Sequence, residues 1–262
     1  MEIIGFASAI VMGLVLGLMG GGGSILTVPI LVYLLKIPPV EATAYSLFVV
    51  GLAALFGSID YLKRGLIDFK VGAIFTVPAF LGVYLVRRYG MPLIPDTIEL
   101  SVFSISKQSL VLVVFAALMI LASYSMIKGR KQSKGDESKK LNVPVIAIEG
   151  LVVGAVTGFV GAGGGFLIIP ALVVLAGLEM KTAVGTSLLI ISIKSLLGFI
   201  GDVQVMPQID WNLLMIFSAL AVVGIGLGIF LSRKIPGQKL KPAFGYFVLV
   251  VGSLMLLQQA LA

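Results

Sequence analysis

The feature that most limits this chain is a series of uninterrupted apolar runs, at 42–59, 71–86, 109–126, 182–200, 211–232 and 243–261. About 20 apolar residues, each rising about 1.5 Å along a helix, cross the roughly 30 Å of hydrocarbon in a bilayer. The 59% hydrophobic and 12% charged composition agrees, since soluble domains carry about twice that share of charge. The sequence therefore predicts an all-α integral membrane protein. The opening apolar stretch lacks a basic leader and a similar stretch recurs mid-chain, so it is expected to stay in the mature protein and not to act as a cleaved signal.

Cysteine and histidine are both absent. Disulfides, thiolate chemistry, imidazole acid–base catalysis and the usual ligands of zinc, copper and haem are thereby excluded, and neither an enzymatic role nor a metal or cofactor is expected. The net charge of +7 does not point to nucleic acid, because the basic residues lie in short loops between apolar runs and form no continuous face. In a membrane protein such loop cations set orientation.

Shifting the sequence by 141 positions aligns Gly17, Gly20, Gly22, Gly23, Leu26, Pro29, Ser46, Leu47 and Gly57 with Gly158, Gly161, Gly163, Gly164, Leu167, Pro170, Ser187, Leu188 and Gly198, without a gap. The chain is a tandem duplication, with a first membrane repeat at 1–127, a polar linker at 128–142 (KGRKQSKGDESKKLN) and a second repeat at 143–262. Each repeat opens with an apolar segment interrupted by glycines: 3–19, 20–24 and 25–35, then 143–160, 161–165 and 166–176. The 11-residue pieces after the breaks reach only about 16 Å as helix and cannot span alone.

Two topologies follow. If each broken segment crosses once, every repeat has four crossings and the repeats run parallel; if each turns back at its glycines, every repeat has three crossings and the repeats are inverted. Of the 19 Lys and Arg, only Lys194 falls inside a span. The four-crossing arrangement divides the others nine to each side. The re-entrant arrangement leaves Lys36, Arg87, Arg88 and Lys107 on one side and the remaining 14 on the other. The positive-inside rule selects the second. The expectation is thus two inverted repeats, each a glycine-broken re-entrant hairpin plus three transmembrane helices, in the plasma membrane, with the linker cytoplasmic and both termini outside.

Non-helical backbone at membrane depth persists only inside protein or against a water-filled cavity. The breaks therefore read as a site. Helices starting just after them carry unpaired N–H groups and the positive end of the helix dipole, and glycine lets a ligand approach the backbone closely. Gly22, Gly23 and Ser24 of one break and Gly163, Gly164 and Gly165 of the other are the expected anion donors, with Ser46 and Ser187 beside them. Ser187, Lys194, Ser195 and Gly198 fall on one helix face. Lys194 is expected either to face the pathway or to snorkel to the interface. Glu149 is the candidate coupling carboxylate, while Glu41, Asp60, Asp202 and Asp210 fall at segment ends and read as solvated. The pairs Gly13 with Gly17, Gly154 with Gly158 and Gly224 with Gly228 have the four-residue spacing of helix packing. Neither GGGGS nor GAGGG is followed by the Lys and Ser/Thr of a nucleotide-binding loop.

The segments GLVLGLMGGGGSILTVPIL, starting at Gly13, and GLVVGAVTGFVGAGGGFLIIPAL, starting at Gly150, together with GTSLL starting at Gly185, resemble the TauE/SafE sulfite exporter family. The resemblance covers the chain outside the linker. It implies a plasma-membrane transporter of sulfur oxyanions or organosulfonates such as sulfite and sulfoacetate. Thiosulfate-uptake relatives in the wider group rely on cysteines, so that chemistry is not expected of this cysteine-free chain. The first-repeat counterpart of GTSLL is Ala44-Tyr45-Ser46-Leu47-Phe48, which keeps only the serine and the following leucine. The expected function is secondary transport of a small anion by alternating access, with a passive anion channel or a non-transport membrane assembly protein as alternatives; the expected partners are the anion and the lipid bilayer, without nucleic acid or nucleotide.

Overall fold

The computed structural model describes residues 2–100, 103–128, 142–174, 176–206, 208–232 and 237–261. Most of the predicted linker lies outside them, as do Arg233 and Lys234. The described chain is almost wholly helical, as its apolar composition requires, because a helix satisfies its own backbone without water. In order it runs α1 (Glu2–Met19), a 3-10 turn Gly22–Leu26, α2 (Thr27–Pro29), a π turn Ile30–Leu34, α3 (Pro39–Lys63), α4 (Phe69–Leu85), a π turn Val86–Gly90 and α5 (Met91–Leu93). Then come a short ribbon, β1 (Thr97–Leu100) and β2 (Phe103–Ser106), and α6 (Lys107–Lys128), α7 (Val143–Val160), α8 (Gly165–Val174), α9 (Met180–Val203), α10 (Trp211–Ser232) and α11 (Gly237–Leu261). The short antiparallel ribbon, pairing Thr97 with Ser106, precedes α6 in what is otherwise, among the described residues, the expected all-α fold.

Among the described residues, six segments are long and apolar enough to cross a membrane: Pro39–Lys63, Phe69–Leu93, Lys107–Tyr124, Val143–Val160, Met180–Val203 and Trp211–Ser232. Two of them are central. In α3 and α9, 72% of the most apolar window is buried inside the protein, against 39–44% in the other four. Phe48 packs on Phe199 with ring centroids 5.2 Å apart and the rings tilted, Gly51 packs on Leu196, and Gly185 packs on Tyr61. As numbers rise along α3 they fall along α9, so the two helices are antiparallel. They are also each other's counterparts under the 141-residue offset.

The small-residue pairs do what their spacing suggests. Gly13 and Gly17 of α1 meet Ala221, Ile225 and Gly228 of α10, while Gly150, Gly154 and Gly158 of α7 meet Phe75, Ala79 and Val83 of α4. The constant difference between partners makes both pairs parallel. Each repeat's first helix thus packs on the other repeat's helix, and the offset exchanges one pair for the other. The halves are interlocked.

Both glycine breaks reverse the chain. Gly5, near the start of α1, abuts Leu34 and Leu35, which follow the first break, so the two arms run back along each other. In the second repeat α7 starts alongside the first turns of α4 and ends at Gly161 against Thr43, in the first turns of α3. By Gly185 the chain has returned to Tyr61 and Leu66, at the far end of α3. A hydrogen bond from the Asp68 amide to Thr186 Oγ1, 2.9 Å, ties that return.

Candidate functional site

The two breaks lie alongside each other at the middle of the molecule. A β-carbon on Gly21 would sit 2.6 Å from the α-carbon of Gly165 and 3.2 Å from Ile191. One on Gly163 would sit 2.6 Å from Val50 and 3.1 Å from the β-carbon of Ser24. Val50 and Ile191 are the midpoints of α3 and α9 and are counterparts under the offset. Backbone meets backbone here at a separation that only glycine permits. Gly163 has φ +62° and Gly21 φ +126°, where a side chain adds strain to the clash. Gly22, by contrast, has no positive φ; the left-handed positions of the first break are Gly20 and Gly21.

Ser46 and Ser187 are both buried and both donate to the backbone of a break. Ser46 Oγ donates to the Gly161 carbonyl at 2.6 Å, and Ser187 Oγ donates to the Gly20 carbonyl at 3.0 Å. The four residues form one interaction and its offset counterpart. Each break is therefore held to the other repeat's central helix by a buried hydroxyl, and around each bond Gly161 abuts Thr43 as Gly20 abuts Val184. Ser24 Oγ donates to the Gly21 carbonyl at 2.7 Å, leaving it an acceptor beside Gly163. The Gly164 amide is engaged by the Ala162 carbonyl at 2.6 Å. The donors at the tips of the breaks are the amides at the start of the Gly22–Leu26 turn and of α8, where a helix leaves its first N–H groups without internal partners.

Lys194 is fully enclosed, with 0% exposure, so it does not snorkel. Its Nζ donates to Thr157 Oγ1 at 2.9 Å. Thr157 stands one turn before the second break, and a β-carbon on Gly164 would press on its side chain. The ammonium is thus brought to the break from α9 through α7. Among the described residues no carboxylate forms an ion pair with it. Its neighbour Ser195 is also buried, with a hydroxyl that finds no partner among them.

Two residues that the sequence reading placed in solvent are buried together. Arg87 has 0% exposure and Asp202 4%. Arg87 Nη1 donates to Thr43 Oγ1 at 3.1 Å and lies 3.4 Å from Asp202 Oδ1. The span containing Arg87 does not end at residue 86 but continues through the π turn Val86–Gly90 to Leu93. That keeps the guanidinium inside the helical bundle, on the Thr43 side of the second break.

The family model for Sulfite exporter TauE/SafE matches residues 5–255. The chain belongs to the sulfite exporter TauE/SafE family. A probable membrane transporter protein of Xylella fastidiosa is 30% identical over 258 residues, covering 95% of this chain and 92% of the relative. Probable membrane transporter proteins of Bacillus subtilis and Methanocaldococcus jannaschii are each 25% identical, over 94% and 95% of this chain and 96% and 94% of their own lengths. No solved structure matches the chain. Family and span-length helices together make this a multi-pass membrane protein of a transporter family.

Within this TauE/SafE chain, the GTSLL segment serves to dock the repeats. Gly185 admits the Leu66 carbonyl and Tyr61, Thr186 caps the Asp68 amide, and Ser187 holds the first break. Glu149 lies half-buried on α7, about 18 Å along the helix before Gly161 at 1.5 Å per residue. The structure does not bring it to the breaks.

Proposed function

We propose that this protein is a secondary transporter of a small anion, of the sulfur-oxyanion or organosulfonate class such as sulfite and sulfoacetate, and that it binds the anion between the two glycine breaks. Lys194 carries this reading. A lysine enclosed at the centre of a membrane protein, with a hydroxyl as its hydrogen-bond partner, retains a positive charge only at a cost of roughly 2.5 to 3.5 kcal/mol on insertion scales. A bound anion offsets that cost. Gly22, Gly23, Gly163 and Gly165 supply neutral donors around the charge, and Ser24, whose hydroxyl and amide both donate to the Gly21 carbonyl, shapes the first break beside them; Ser46 and Ser187 act by holding the breaks in register.

The repeats at 1–127 and 143–262 are read as inverted. Offset counterparts that pack antiparallel, as α3 and α9 do, are related by an axis perpendicular to their length, which for spanning helices lies in the membrane plane. The folding-back of the chain at both breaks supports three full crossings per repeat, flanked by re-entrant arms entering from opposite sides, although α7 at 18 residues is itself long enough to span. The cation distribution then orients the 64–68 loop and the linker toward the cytoplasm and both termini outside. Alternating access follows from rocking of one repeat against the other around a fixed central site.

Reconstitution in proteoliposomes tests this. Saturable countertransport, in which internal unlabelled sulfite accelerates uptake of labelled sulfite, is the expected result. Flux that follows voltage without saturation would replace the carrier by a channel, and no flux of any oxyanion or sulfonate would reject the reading.

A further inference from the structure

A buried guanidinium is costly unless its five N–H groups find acceptors. Arg87 directs only one nitrogen, Nη1, to its recorded partners, Thr43 Oγ1 at 3.1 Å and Asp202 Oδ1 at 3.4 Å. Nε and Nη2 have no partner among the described residues, and neither has Asp202 Oδ2. An arginine–carboxylate pair with a purely structural role is commonly bidentate, at about 2.7 to 2.9 Å. Here the pair is held by one long contact, and the edge of the guanidinium made by Nε–H and Nη2–H, two parallel donors, is left over.

Two parallel donors match two oxygens of a single oxyanion. The spare Asp202 oxygen matches a hydroxyl or proton on that anion. The position is tied to the central site, because Thr43, which accepts from Nη1, is the residue that Gly161 of the second break rests on. It also breaks the duplication: the offset counterparts of Arg87 and Asp202 are Gly228 and Tyr61, so only one end of the molecule carries the pair.

We propose that Arg87, with Thr43 and Asp202, forms a second oxyanion station between the start of α3 and the second break, which takes a small oxyanion on the Nε and Nη2 edge. The station rests on the anion-transport reading. Asp202 weakens it by design of charge: its carboxylate keeps the pair near neutrality, so an arriving anion is held loosely and passes on toward Lys194.

The test uses the purified full-length protein in detergent, with sulfite and sulfate as oxyanion probes and chloride at matched ionic strength as the control. Asp202→Asn keeps the shape and removes the competing negative charge, so sulfite or sulfate affinity should tighten on the order of tenfold, with no matching response to chloride. The uncharged pair Arg87→Gln with Asp202→Asn avoids an unpaired buried charge and should lose that gain. A Lys194→Met background should keep an oxyanion-dependent rise in melting temperature, which adding the uncharged pair abolishes. Wild-type affinity in Asp202→Asn, an equal gain with chloride, or a gain that survives loss of Arg87 would each overturn the station. If wild-type vesicles carry sulfite and the uncharged pair binds and carries it equally well, the station fails alone. If wild-type vesicles carry no anion while the Arg87-dependent response persists, the transport reading fails and the station stands.

Discussion

Replacing Lys194 by methionine separates the site reading from a structural one, because the enclosed environment predicts opposite changes in two quantities. Methionine keeps the length and apolar stem and removes the ammonium. On the stability side, the roughly 2.5 to 3.5 kcal/mol cost of a charge at membrane depth disappears, and the hydrogen bond to Thr157, worth about 0.5 to 1.5 kcal/mol, is lost. Thr157 is not orphaned, since its hydroxyl donates to the Gly154 carbonyl at 3.2 Å. The net is a gain of about 1 to 3 kcal/mol. On the binding side, a charged hydrogen bond contributes about 1.5 to 3 kcal/mol, and at about 1.4 kcal/mol per tenfold the anion affinity should fall roughly 10- to 150-fold. Lys194→Arg should weaken binding less than Met, because it keeps the charge but must fit a planar fork into a closed space. Thermal melts of purified protein, titrated with sulfite, read stability at zero ligand and affinity from the ligand-dependent shift. A methionine variant that is stabilised and binds sulfite with wild-type affinity would remove Lys194 from the site.

Gly163→Ala should destabilise by more than the about 1 to 2 kcal/mol left-handed penalty, since its β-carbon would meet Val50 at 2.6 Å, and sulfite binding should be lost; Gly65→Ala, at φ +65° with nothing within 4 Å, is the control that shows the penalty alone, and equal losses in the two would deny the close approach of the breaks. Ser46→Ala and Ser187→Ala should each cost about 0.5 to 1.5 kcal/mol and slow transport with little change in sulfite affinity; a loss of affinity matching that of Lys194→Met would make these hydroxyls direct ligands. Single cysteines at Lys63 and Val205, offset-related up to one residue and both exposed, should be labelled by an impermeant maleimide from opposite sides of the membrane. Labelling from the same side would make the repeats parallel.

What the sequence revealed and what it hid divide along a physical line. Glycines at fixed spacing and an offset repeat are backbone signals, and they remain visible whatever the side chains around them do. The 141-residue offset, the breaks at 20–24 and 161–165, and the packing of Gly13, Gly17, Gly154 and Gly158 all follow from that kind of signal, whereas the choice of reversal over a single crossing at each break came from the loop cations. Ser46 and Ser187 were visible as a matched pair, but a serine in an apolar helix reads equally as ligand and as latch; the bonds to Gly161 and Gly20, which favour the latch, are not legible in the sequence. Arg87 and Asp202 were misread because charge near the end of an apolar run is the ordinary mark of a loop. A signal did exist. The stripe Ser187, Lys194, Ser195, Gly198 continues by one helical step to Asp202, and the buried face Phe75, Ala79, Val83 continues by four residues to Arg87.

The departures from the duplication carry a consequence for mechanism. A carrier built from two identical inverted repeats would have inward- and outward-facing states of equal energy, since the symmetry axis exchanges them. The offset here replaces Lys194 by Ala53, Arg87 by Gly228 and Asp202 by Tyr61, so the charged groups proposed to meet an anion occur once each. Every kcal/mol by which these groups favour one packing shifts the ratio of the two states by roughly fivefold. On this hypothesis, the uncharged pair Arg87→Gln with Asp202→Asn removes the part of the bias set at the second break. The accessibility of a cysteine at Val205, on the same side as Arg87, should then move toward that of a cysteine at Lys63 on the other side. Unchanged labelling rates at both positions would mean that the Arg87–Asp202 pair is indifferent to which way the carrier faces, and that its directional bias, if any, resides in Lys194.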